Sequence, residues 1–376
     1  MKKNYVTLGE LATYVNGYAF KPTDWSDEGL EIIRIQNLTG NLSEVNLYSG
    51  EYNKKYEVNN GDVLISWSAS LGVYVWNKGR AILNQHIFKV VFNKVDVDKE
   101  FFIQQVGYIL GRANVHAHGA TMKHLTRPVF DSLKFYFPSR EEQKDISNKL
   151  CIVDRLIELH EKYVKDLEQL VKSRFIEMFG DLKLNDKKWE VKFFKDLTLL
   201  ITDGEHSTPR RTDNGIYLLS ARNVLNHSLQ LNDIDYIDEV EYERISKRIQ
   251  PMIGDVLLSC SGSVGRCCAI TKDIKFQMVR SVALLRFKAE INPVFAEYMI
   301  VSDYLQEQIN SNKTASSQSN LFQGKIKMLK GVIPPLDLQN QFADFVEEVN
   351  KSKLEVQKSL EELETLKKSL MQQYFG

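Results

Sequence analysis

The stretch GDVLISWSASLG, Gly61 to Gly72, returns as GDVLLSCSGSVG, Gly254 to Gly265, at an interval of 193 positions. Downstream the interval is 196. It carries Leu125 onto Leu321, Pro138 onto Pro334, Gln143 onto Gln339, Lys172-Ser173 onto Lys368-Ser369 and Phe179-Gly180 onto Phe375-Gly376. Upstream it is 186, which lays Gln36-Asn37-Leu38 over Arg222-Asn223-Val224. Intervals that grow along the chain mean loop insertions in an otherwise collinear duplication, and two related units on one chain tend to pack about a pseudo-twofold axis. With 376 residues, each copy has enough chain for a core and an appendage.

Each copy ends in a long run free of glycine and proline. From Glu141 to Phe179 the series Ile146, Leu150, Val153, Ile157, His160, Val164, Leu167, Val171, Arg174, Met178 alternates spacings of four and three, the period of a coiled-coil seam. The second copy, Asp337 to Phe375, has Phe342, Val346, Val349, Val356, Leu360, Leu363, Leu370 and Tyr374 in corresponding places. Lys353 and Lys367 interrupt it, and Leu354 and Leu366 offer a slightly rotated stripe. Pro138 and Ser139 signal the start of the first helix and Gly180 its end. A helix of this length extends roughly 58 Å at 1.5 Å per residue. A solitary amphipathic helix would leave its stripe wet, so the two helices are expected to pair with each other rather than each only with its own globular part.

The globular portions look strand-rich but mixed. DVLISW, HIFKVVF, LKFYFP, IYLLSA, DVLLSC and VALLRF are short β-branched or aromatic runs, and one helical stretch per copy is expected near 99–110 and 293–309. The expected fold is α+β. Residues 1–140 form a first globular domain, 141–180 a central long helix, 181–334 a polar linker and second globular domain, and 335–376 a C-terminal long helix.

Composition excludes several classes. Hydrophobic residues make up 43% and charged residues 26%, with no apolar run of membrane-spanning length and no secretory signal, so the chain reads as cytoplasmic. Cys151, Cys260, Cys267 and Cys268 lack paired spacing and read as reduced, packed thiols. Overall charge is zero, with 49 acidic and 49 basic residues; the two long runs hold 17 acids and 12 bases, which leaves the globular parts at +5. That modest excess supports a local basic face but not tight non-specific DNA binding.

Catalytic motifs are missing. No stretch fits G-x-x-x-x-G-K-[ST]. Of the two glycines in SGSVGR at Ser261–Arg266 only Gly265 recurs in the first copy, as Gly72, which suits a tight turn, and the one Pro-Pro, Pro334-Pro335, lacks the context of an amino-methyltransferase. His116-Ala117-His118 has no evident third metal ligand. Asp203 and Glu205 resemble a nuclease pair only superficially, since the first copy lacks them.

The duplicated plan, the GDVL block, the Pro-x-x-x-x-Gln opening of each long helix and the Phe-Gly helix ends together resemble the DNA-specificity subunit of Type I restriction-modification enzymes, over essentially the whole chain. That resemblance implies two target recognition domains in pseudo-twofold tandem repeat, each reading half of a bipartite double-stranded DNA target, separated by two long helices in an antiparallel coiled coil. It implies no catalysis and no cofactor in this chain. Two modification subunits that methylate adenine, and restriction subunits that cleave, would carry S-adenosylmethionine, ATP and Mg2+.

The two copies diverge where such a reader should differ: NGYAFKPTDWSDEG and TDGEHSTPRRTDNG share little. From these and neighbouring loops the DNA-contact candidates are Arg34, Gln36, Trp67, Gln85, Lys123 and His124 in the first copy, and His206, Arg210, Arg211, Arg222, Arg280 and Gln318 in the second. Arg suits guanine, Gln suits adenine, and Trp67 suits stacking beside a displaced base. Surface solvation or local packing is the plain alternative for each. At the level of function the alternative is a coiled-coil scaffold with two protein-binding domains.

Overall fold

The computed structural model describes residues 4–40, 44–116, 125–313 and 320–376. The chain forms two compact units: Met1–Glu161 with Gln357–Gly376, and Lys162–Val356. Each unit holds one globular α+β head together with a portion of both long helices.

In the first unit the strands Thr13–Asn16, Ile87–Val91, Val63–Ser66 and Gly72–Val75 form an antiparallel sheet in that order. A second sheet runs Leu47–Tyr48, Leu30–Ile33, Ala81–Leu83, Glu57–Val58, and its central pair is parallel, with Ile32 opposite Ile82. The second unit repeats the plan. Thr198–Asp203, Val282–Phe287, Asp255–Ser259 and Cys267–Ala269 form the antiparallel sheet, and Arg211–Thr212, Asp235–Ile237, Ile216–Leu219 and Phe276–Met278 the mixed one, with Leu218 parallel to Gln277.

The repeated GDVL block opens an inner strand of both antiparallel sheets by the same local chemistry. Gly61 and Gly254 hold φ of 90° and 92°, a left-handed conformation that a side chain resists. The next residue folds its carboxylate back: Asn59 N donates to Asp62 Oδ2 and Met252 N to Asp255 Oδ2, both at 2.9 Å. The chain then enters fully buried strands, Val63–Ser66 and Asp255–Ser259. In the second unit Asp255 is also clasped by Arg286 through two bonds of 2.7 Å; the matching strand position in the first unit is Val91.

The long helices are Arg140–Phe179 and Leu336–Phe375. Ser139 Oγ accepts from Glu142 N at 3.2 Å at the first helix start, and Gly180, with φ 76°, ends it. The glutamine of each Pro-x-x-x-x-Gln opening is buried. Gln143 donates to Pro138 O (2.9 Å) and accepts from Asp98 N (2.8 Å); Gln339 donates to Pro334 O (2.8 Å) and Glu290 O (3.1 Å) and accepts from Asn292 N (2.8 Å). Asn292 caps the globular helix Pro293–Val301, and Asp98 directly precedes Lys99–His116. One buried amide thus fastens each long helix to the head of its own unit.

The helices pack together in opposite directions. In the first unit Asp154 pairs with Lys367 at 2.6 Å and His160 Nε2 lies 3.2 Å from Ser359 Oγ. In the second, Glu168 pairs with Lys353 at 2.5 Å and Phe179 packs edge-on against Phe342. Ile146, Leu150, Val153, Leu167, Val171 and Val349 are buried, and Ile157, Val164, Val356, Leu360, Leu363 and Leu370 partly so. The polar interruptions take part in this contact. Leu354 and Leu366, by contrast, are 50% and 46% exposed, so the stripe does not rotate onto them: the lysines keep their stems inside and send their amines to carboxylates on the facing helix.

Three further expectations are refined. The stretch 293–309 is two helices, Pro293–Val301 and Asp303–Asn312, parted at Ser302. The junction 181–188 is a folded turn, with Asp181 Oδ1 accepting from Lys183 N and Leu184 N and Leu182 buried. Cys151 is exposed, whereas the other three thiols are buried; it follows buried Leu150 on the long helix, and its Sγ accepts from Gln104 Nε2 at 3.3 Å.

Candidate nucleic-acid interface

In the second unit the diverged loop closes over a cleft of about 740 Å³ lined by Glu205, His206, Arg211, Ser261, Arg280 and Phe322, among others. Gly204 makes the loop possible. A Cβ there would lie 2.4 Å from Met278 O, so only glycine lets the loop lie against the strand. Glu205 N then donates to Met278 O (2.7 Å) and Arg280 N to Glu205 O (3.0 Å).

Charge is unevenly committed around this cleft. Arg210 pairs with Asp238, Arg211 with Asp235 at 3.1 Å, and Arg222 with Asp235 at 3.3 Å. Arg280 is exposed, and among the described residues its guanidinium has no partner. His206 is exposed, 3.7 Å from Asp203. Burial holds the Asp203 carboxyl above its ordinary range, while the hydrogen bond from Ser207, with Arg244 and Arg248 nearby, holds Glu205 below its own. Glu205 is therefore an anchor for the loop, bonded to Ser207 N at 3.1 Å, rather than half of a nuclease pair.

The first unit has the same backbone with different side chains. Gly17 stands where Gly204 does, with a Cβ position 2.0 Å from Asn84 O. Tyr18 N donates to Leu83 O (2.9 Å) and Gln85 N to Tyr18 O (2.8 Å). Where the second unit presents charge, the first presents rings: Tyr48, Phe20, Tyr18 and Tyr56 form a chain in that order with centroid separations of 4.9, 4.9 and 5.8 Å, and Lys55 Nζ sits 4.8 Å over Tyr56. Arg34 donates to Asn46 Oδ1 at 2.8 Å and lies 5.7 Å over Trp25. Gln36 is half-buried on the short helix Ile35–Leu38. Trp67 stacks on Phe88 at 5.6 Å and meets His86 edge-on, so one indole face is already covered.

Lys123, His124 and Gln318 lie outside the described residues, as do Ala117 and His118. Among the described residues no cluster of three or more His, Cys, Asp or Glu could hold a metal ion, and no helix is long and apolar enough to cross a membrane.

Several surface features escaped the sequence reading. The Tyr18–Phe20–Tyr48–Tyr56 cluster draws on segments far apart in sequence, so no local pattern announced it. Arg244, Lys247 and Arg248 line a second concavity beside His206, and their i, i+3, i+4 spacing was the available signal. Phe322, 61% exposed at the cleft mouth, follows buried Leu321, whose amide donates to Cys260 O at 2.9 Å.

Comparison with known proteins adds to this geometry. The family model for the Type I restriction modification DNA specificity domain matches residues 2–169 and again 186–365. The Type I restriction enzyme EcoBI specificity subunit of Escherichia coli is 23% identical over 375 residues, 92% of this chain and 78% of that protein. The MjaVIII specificity subunit of Methanocaldococcus jannaschii is 22% identical over 386 residues, 97% and 90% respectively. Among solved structures, the Type-I restriction-modification S subunit from M. genitalium superposes with a TM-score of 0.59 at 14% identity, covering 98% of this chain and 96% of that one. A chain solved for the complex assembly and conformational transition of the type I R-M system gives 0.60 at 14% identity, with 100% and 98% covered. At that identity the likeness concerns the fold.

Proposed function

Because this chain belongs to the Type I restriction-modification DNA specificity family, as the subunit that specifies DNA and itself carries neither catalytic centre nor cofactor, we propose that its two heads read the two halves of a bipartite duplex target. One observation carries this reading: the same loop, pinned by the same main-chain bonds over the same glycine, bears an aromatic set in one unit and a charged set in the other. Scaffolds that coincide while their exposed side chains differ suit two readers of different sequences.

The contact surface centres on Gln85, Arg34 and Gln36 in the first unit and on Arg280, His206, Arg211, Arg210 and Arg222 in the second; Trp67, with one face committed to Phe88, is the weakest member. The complex works with partner subunits. Two modification subunits supply S-adenosylmethionine and methylate one adenine in each half-site, and restriction subunits supply ATP- and Mg2+-dependent cleavage. The paired helices set the gap between half-sites through the seam Ile146, Leu150, Val153, Ile157, Val164, Leu167 and Val171 against Val349, Val356, Leu360, Leu363 and Leu370.

The test is to co-express the chain with its modification subunit and sequence the methylated adenines. A split motif of fixed gap is expected. Inserting four residues in both long helices adds roughly 6 Å of rise, near two base pairs of DNA. A gap that stays at its original length would refute the ruler. Absence of any methylating partner would favour a protein-binding scaffold instead.

A further inference from the structure

We propose that Gln85 and Arg280 are a single reading position, present once in each head, and that this position fixes one base pair of each half-site: an adenine facing Gln85 and a guanine facing Arg280. The inference rests on the bipartite-reader function above and narrows it to two side chains.

The equivalence comes from the backbone. Each residue lies two positions beyond the end of a strand paired in parallel in the mixed sheet, Ala81–Leu83 or Phe276–Met278. Each donates its amide to the residue after the close-approach glycine, Tyr18 or Glu205, and that residue donates in turn to Leu83 or Met278. Parallel bridges Tyr18–Asn84 and Glu205–Val279 repeat the match. The anchors Leu83, Met278, Ile87 and Val282 are all fully buried, so both side chains spring from rigid chain.

Availability separates these two from the committed arginines, and backbone equivalence separates them from Gln36, which is also unpartnered but lies over the paired Arg222. Arg210, Arg211 and Arg222 face carboxylates, Arg244 faces Glu241, and Arg248 donates to the carbonyls of Asp203 and Gly204. A base contact by any of them must first displace an internal partner. Among the described residues the Gln85 amide and the Arg280 guanidinium have no such partner, and Arg280 lines the cleft. Their chemistries then differ in the informative way. A primary amide offers one donor and one acceptor, complementary to adenine N6 and N7, whereas a guanidinium offers two donors, complementary to guanine O6 and N7.

The test uses the assembled methyltransferase complex with Arg280→Gln, Arg280→Lys and Gln85→Arg, measured by competition binding against duplexes in which each base pair of the methylated motif is replaced in turn. In Arg280→Gln, discrimination at one base pair of one half-site should fall by roughly 5- to 150-fold, the equivalent of one bidentate contact, with every other position unaffected. Gln85→Arg should do the same in the other half-site. Arg280→Lys keeps the charge and donors that guanine accepts but loses the planar fork, and should retain only part of the discrimination. A uniform loss across all duplexes, full rescue by lysine, or unchanged discrimination would each overturn the assignment. A wild-type complex without any split preference would overturn the two-reader function itself, whereas a split preference untouched by all three variants would overturn only this narrower inference.

Discussion

Replacing Gln339 with alanine should loosen the second unit more than Gln143→Ala loosens the first. Gln339 is completely buried and makes three hydrogen bonds, to Asn292 N, Glu290 O and Pro334 O; Gln143 makes two, to Asp98 N and Pro138 O. Each buried backbone group left unpaired costs roughly 1–3 kcal/mol, less where water can re-enter. Three such groups give about 3–5 kcal/mol for Gln339→Ala, and two give about 2–3 kcal/mol for Gln143→Ala. Native-state hydrogen exchange resolves the units separately. The amides of strand Val282–Phe287 should exchange on the order of a hundredfold or more faster in Gln339→Ala, those of Ile87–Val91 by a smaller factor in Gln143→Ala. Because Asn292 N is a direct partner, its amide should lose protection first. A change below about fivefold at Val282–Phe287, or a larger effect in Gln143→Ala, would refute the view that these amides fasten the helices to the heads.

Three other outcomes are expected. Arg280→Ala should weaken specific binding more than the double replacement Arg210→Ala, Arg211→Ala, whose side chains already face Asp238 and Asp235; titration of wild-type and variant complexes on one duplex ranks them, and the reverse order would count against the role given to uncommitted side chains. Arg80 and Tyr52 pull the Glu57 carboxyl from 4.5 down to about 2, so its stabilising effect is present above pH 4.5 and lost as pH falls through about 2; Glu57→Gln should flatten the acid dependence of first-unit stability across that window, and an unaltered dependence would exclude the pair as its source. A maleimide should label Cys151 alone in the native chain, since Cys260, Cys267 and Cys268 are buried and burial pushes the Cys260 thiol up to about 12; rapid modification of any of the three, followed by mass spectrometry, would contradict their packing.

The duplication was legible because its markers are positions where backbone geometry leaves little choice. Gly61 and Gly254 must adopt a left-handed turn, Asp62 and Asp255 must cap it, and Gln143 and Gln339 must satisfy groups sealed from water. The helix seam was legible for a related reason: a 3.5-residue period survives one histidine, one arginine and two lysines that stay half-buried in it. The reading surface was only partly visible. Arg280 and Gln85 were found one by one as plausible base contacts, but their equivalence appears at an interval of 195, which neighbouring side chains do not share and which emerges only from the parallel strand pairing. The ring cluster about Tyr18 arises from segments that meet only in three dimensions. Trp67 suits stacking beside a displaced base in sequence, yet Phe88 across the sheet claims one of its faces.

The first unit draws on both extremes of the chain. Phe375 is buried against Phe101 at a centroid distance of 5.5 Å, and Gln372 accepts from Tyr108 Oη at 2.7 Å. On a ribosome, which makes the polypeptide from one end, the head translated first can gather most of its interior early, but the patch about Phe101 and Tyr108 stays uncovered until residue 375 has emerged, whereas the second unit is the uninterrupted stretch 162–356. The last patch of the first head is then closed only after the whole of the second unit has been made.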